Sequence, residues 1–118
     1  MANYIDGFVL PIPRDRLDEY KRVVEAVARV WKEHGATDYR EFVGDDLVNE
    51  DTGSFIKTAG ATDSDVVIFG WVAFESREAR DRANEKVAAD PRMAELVGAS
   101  DIGFDPLKMA WGGFRPLV

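Results

Sequence analysis

An α+β sandwich, one antiparallel sheet with two helices on a single face, is the architecture that this 118-residue chain predicts. Three observations lead to it. Val66 to Phe74 is the longest unbroken apolar run, rich in β-branched and aromatic residues, and reads as a strand greasy on both faces. Leu17, Tyr20, Val24, Val27 and Trp31 recur at spacings of three and four, the stripe of a helix lying on a core. The patterned stretches follow the order β-α-β-β-α-β, which right-handed crossovers turn into the ferredoxin-like sandwich. One such domain over residues 1–118 is expected from the length.

The first strand spans Tyr4 to Ile12, and Pro11 and Pro13 either end it or put its end on an edge. Asp15 is the expected N-cap of the first helix, with Asp18 and Glu19 near its positive end. Val23 and Val30 widen its stripe, and Gly35 closes it after His34. Thr37 to Val43 is a second, more polar strand. Leu47 to Asp65 is a long, weakly patterned excursion with room for a short helical turn or strand around Phe55, and excursions of this kind are often functional or mobile. After the central strand, Ser76 caps a helix from Arg77 to Ala89 with Ala79, Ala83 and Val87 inward. Asp90-Pro91 starts a short segment carrying Met93, Leu96 and Val97. The last strand runs from about Leu107 to Phe114, where Gly112-Gly113 predicts a bulge or a close backbone approach.

Along the central strand, Val67, Phe69, Trp71 and Ala73 share one face, and Val66, Ile68, Gly70, Val72 and Phe74 the other. Two helices roof only one of these. The other would expose more apolar surface than monomers tolerate, so a homodimer with sheet facing sheet is expected. Covering ~500 Å² per subunit at ~25 cal/mol per Å² contributes on the order of 12 kcal/mol before association costs.

Composition excludes several function classes. Without cysteine there is no disulfide, thiolate metal site or cysteine nucleophile. No apolar run reaches the ~20 residues of a membrane span, and the start lacks a signal peptide's pattern, so a cytoplasmic protein with no membrane partner is expected. A net charge of −7 repels polyanions and makes nucleic acid a poor partner. Phe69-Gly70-Trp71-Val72-Ala73-Phe74 loosely matches the end of an RNA-binding strand motif. Val67 and Ile68 break its start, and Asp63, Asp65 and Glu75 flank it, which leaves RNA binding through the sheet face a remote alternative.

Four segments carry a family resemblance: Tyr4-Ile5-Asp6-Gly7-Phe8, Phe69-Gly70-Trp71, Arg80 to Asn84 with Asp90-Pro91-Arg92-Met93, and Met109-Ala110-Trp111-Gly112-Gly113-Phe114. Together they resemble the YbaA-like bacterial family, of unknown function, within the dimeric α/β-barrel superfamily. The similarity spans nearly the whole chain, is weakest between Gly44 and Asp65, and places Lys108 where that family's closing motif carries arginine. It implies the fold and the dimer. It brings no active-site residues. In relatives of that architecture the space between sheet and helices often holds a small organic ligand.

Candidate chemistry is sparse. His34, the single histidine, suits the negative end of a helix, and its alternative role is general base. Asp6 and Arg92 are the other weak catalytic candidates. Asp45, Asp46, Glu50 and Asp51 lack the spacing of a calcium loop and read as a solvated acidic stretch, so no metal and no cofactor are expected. Trp31, Phe69, Trp71, Met93 and Trp111 are pocket candidates between sheet and helices, with Tyr4 and Tyr39 among the polar groups near it, against the plainer reading that the aromatics are core. Two functions follow. One is an enzyme without metal or covalent cofactor, acting on a small apolar or aromatic metabolite. The other is a non-catalytic dimeric interaction or ligand-binding protein.

Overall fold

The computed structural model describes residues 3–98 and 102–118. In order the elements are β1 (Tyr4–Pro13), α1 (Leu17–Glu33), β2 (Asp38–Val43), α2 (Phe55–Ala59), β3 (Asp65–Phe74), α3 (Arg77–Ala89), α4 (Pro91–Gly98) and β4 (Ala110–Phe114). The sheet order is β2-β3-β1-β4 with every neighbour antiparallel, the ferredoxin-like arrangement.

Both prolines of β1 lie inside the strand. Arg14 donates its backbone N–H to Ser64, and backbone groups alternate sides along a strand, so Pro11 and Pro13 turn their nitrogens away from β3. On that side β4 has already stopped at the Val9–Ala110 pair, and no donor is needed.

The start of α1 differs from expectation. Asp15 lies inside a 3-10 turn, Arg14–Arg16, and the helix begins at Leu17 with no side-chain cap. The other end is as read, with Gly35 at φ 118°. α3 begins where Ser76 Oγ accepts from Ala79 N at 3.0 Å.

α1, α3 and α4 roof one face. Phe8, Leu10, Ile12, Val66, Ile68, Val72 and Phe74 point into the core beneath them and meet Val23, Val27, Val30, Trp31, Ala83 and Val87. On the opposite face the register aligns Ile5, Val9, Phe42, Phe69, Trp71 and Phe114. That face is not wholly bare. The 44–65 excursion folds α2 onto it, with Ser54 capping the helix and Gly60 ending it in the left-handed region. Phe55 packs edge-on against Phe69 at 6.0 Å, Ala59 is buried, and Val67 loses its exposure. Phe69, Phe42 and Phe114 remain 45%, 40% and 57% exposed.

Candidate functional site

Between the sheet and α1 lies a cavity of about 210 Å³. Phe8 and Trp111 are register partners on β1 and β4, and their rings stack at 4.8 Å and 6°. Trp31 reaches in from α1, 6.2 Å from Trp111, and Tyr39 from β2, 6.3 Å from Phe8. Met93 of α4 and Met109 ahead of β4 complete a mostly apolar wall. Gly70 makes the inward lean of Phe8 feasible. A Cβ there would sit 2.6 Å from the Phe8 ring and 2.6 Å from the Arg40 carbonyl oxygen.

Among the described residues one carboxylate faces this wall. Glu41 lies two residues beyond Tyr39 on β2, so both project inward. Tyr39 donates its hydroxyl to Glu41 Oε2 at 2.6 Å, and Tyr20 of α1 donates to Oε1. Burial pushes the Glu41 carboxyl above its usual range, against the pull of the two phenols. Burial, then the neighbouring Glu41 charge, hold both tyrosines well above theirs, so they remain donors. Tyr20, Tyr39 and Glu41 also line an outer groove of about 420 Å³ between α1 and β2. The cluster therefore forms a polar partition between two concave spaces.

A second polar cluster lies under α3. Asp6 is fully buried, and Arg80 Nη1 stands 3.6 Å from its Oδ1. Arg80 Nη2 donates to Tyr4 Oη at 2.8 Å, and its guanidinium lies 4.9 Å from the Tyr4 ring centre. Among the described residues no donor is aligned on either Asp6 oxygen, although Asn84 and Trp111 are near enough to favour its charge. Desolvation dominates and raises the Asp6 carboxyl above its ordinary value despite Arg80. Gly113, opposite Asp6, leaves the room, since a Cβ would fall 2.2 Å from Tyr4 Oη. The glycine pair of the last strand thus marks a close approach, with the register running unbroken through it.

The structure divides the candidates read from the sequence. Trp31, Tyr39, Met93 and Trp111 meet at the cavity. Phe69 and Trp71 belong to the opposite face, because they are out of phase with the inward Ile68, Gly70 and Val72. There Trp71 packs on Phe42 at 5.2 Å. Tyr4 and Asp6 sit with Arg80 and do not line the cavity, although Asp6 lies near Trp111, which does. His34 Nε2 and Asp90 Oδ2 meet at 2.8 Å, and Arg92 bridges Asp90 and Glu33 at 2.8 and 2.6 Å. These groups clamp the end of α1 to the α3–α4 junction. Hydrogen bonds from Arg92 and then His34 hold the Asp90 carboxyl far below its usual range. Asp45, Asp46, Glu50 and Asp51 are all exposed.

Sequence reading missed Glu41, Tyr20 and Phe8 as site residues. The signal was the parity of β2: a glutamate in phase with an inward tyrosine has to meet something under the helix. On the outer face the strand positions carry one cation, Arg40, against two carboxylates, Asp38 and Asp65. Among the described residues no helix is long and apolar enough to cross a membrane.

Residues 3–106 match a family model described as "Protein of unknown function (DUF1428)". The chain is 34% identical over 115 residues to "Uncharacterized protein YbaA" of Escherichia coli strain K12, covering 98% of this chain and 97% of that protein. The protein of the same description from Shigella flexneri shows the same identity and coverage. Among solved structures, a nipsnap family protein of unknown function from Agrobacterium tumefaciens superposes with a TM-score of 0.62 at 16% identity, covering 96% of this chain and 86% of that one. An uncharacterized NIPSNAP domain protein from Burkholderia xenovorans gives 0.57 at 10%, covering 96% and 93%. At such identities these two likenesses show the fold.

Proposed function

Starting from the chain's membership of the DUF1428 family, whose function is unknown, we propose that it is a cytoplasmic homodimer that binds or converts a small apolar or aromatic metabolite in the cavity between sheet and helices. The observation that carries this reading is Glu41. A carboxylate clamped by two phenols at the wall of an otherwise apolar cavity is expensive to bury. Three convergent polar groups in an apolar recess are what a small-molecule site needs for orientation. The volume of about 210 Å³ lies below the ~300–1,000 Å³ of drug-sized sites and suits a small ligand.

The test is a metabolite-library screen by native mass spectrometry and thermal shift on the wild-type chain and on Val24→Phe, which fills the cavity from α1. A ligand that shifts the wild type and not the filled variant supports the reading. Ligands that bind both equally, or no ligand across chemical classes, leave the second function, a dimer that serves interaction alone. The exposed aromatic face of the sheet favours that alternative.

A further inference from the structure

We infer that the ligand of the inner cavity is an organic cation, an amine or alkylammonium compound carrying a small apolar or aromatic group. This rests on the reading of the cavity as a ligand site and names the ligand's charge. Among the described residues Glu41 provides the only formal charge on the cavity wall, where no lysine, arginine or histidine stands. A neutral ligand would gain at most a hydrogen bond from that carboxylate, and an anion would meet its repulsion in a poorly solvated recess. An ammonium group placed beside Glu41 gains Coulomb attraction where water screens it least.

The rest of the wall fits the same guest. Phe8, Trp31, Tyr39 and Trp111 surround the recess with aromatic rings. Aromatic surface combines hydrophobic contact for an alkyl or aryl body with quadrupole attraction for a cation that reaches a ring face. The two phenols use their hydroxyl hydrogens on Glu41, so their oxygens keep lone pairs for an N–H donor. At longer range the chain's net charge of −7 draws cations and repels anions.

The experiment compares choline and benzyltrimethylammonium with neutral isosteres in which carbon replaces the ammonium nitrogen, 3,3-dimethyl-1-butanol for choline and neopentylbenzene for the other. Binding to the purified full chain is followed by calorimetry and by tryptophan fluorescence. Expected is a preference for cation over isostere of roughly tenfold or more. Glu41→Gln keeps the shape and one acceptor for the phenols, so it should collapse the ratio of cation to isostere affinity. If isosteres bind as tightly as cations to the wild type, the cation inference is overturned and the cavity reading stands. If the preference survives in Glu41→Gln, the carboxylate is not its source and the inference is equally overturned. If neither series binds, and Val24→Phe changes nothing in the library screen, the cavity reading fails along with it.

Discussion

Asp6 shows what a single side chain can cost. Its carboxyl is fully buried, faces Arg80 without an aligned hydrogen bond, and is raised above its ordinary 3.8 mainly by loss of water. The folded state therefore holds this proton more tightly than the unfolded chain. The stability it contributes is complete below about pH 3.8 and falls as pH climbs through the raised folded value. Asp6→Asn removes that fall. In urea titrations from acidic to neutral pH, the variant should gain on the wild type as pH rises. A wild type that instead gains on the variant would contradict the burial account. Asp90 acts in the opposite sense, because its lowered carboxyl contributes stability above its ordinary value that is lost on acidification. Asp90→Asn should thus narrow the gap to wild type at acid pH. At this scale the sequence was half legible. Trp31, Tyr39 and Trp111 could be picked out as large rings near a core. Asp6 could be flagged as an acid within a strand, but its partner Arg80 lies 74 positions away and only the fold joins them.

Among the elements, the helices and the central strand were readable because their periodicities are strong and local. α1 shows its stripe and terminal glycine, and α3 its serine cap. The start of α1 was misplaced because Asp15 has the right chemistry for a cap while Pro13 hands the chain into a 3-10 turn first. The short α2 was visible only as a chance around Phe55, since five residues carry too little pattern. Gly70 makes the central strand testable. Adding a methyl there forces the Phe8 ring and the Arg40 carbonyl apart, so Gly70→Ala should cost about 1–3 kcal/mol. It should lower the urea midpoint with an unchanged slope, and should weaken ligand binding more than Gly112→Ala, whose Cβ meets nothing nearer than 3.9 Å.

For the whole molecule, the fold could be derived from element order and handedness, whereas the split of the aromatics between faces needed the strand register. A shift of one position moves every side chain to the other side. Trp71 lies on the outer face against Phe42, not beneath the helices. Trp71→Asp should therefore leave the monomer folded, with its far-ultraviolet circular dichroism intact, and move the sedimentation of the chain from dimer to monomer at low micromolar concentration. A wild type that sediments as a 13.2 kDa particle would remove the dimer from the proposal. The excursion between β2 and β3 bears directly on that assembly. α2 stands proud of the pleat at the Val67 end, with Phe55 as its leading edge. A flat body pressed onto this layer would strike that ledge first and settle over the low ground at Gly7, Gly112 and Ala110. In the proposed dimer the second layer would accordingly be displaced toward the β1–β4 side, and this one insertion would set the size of that sideways offset.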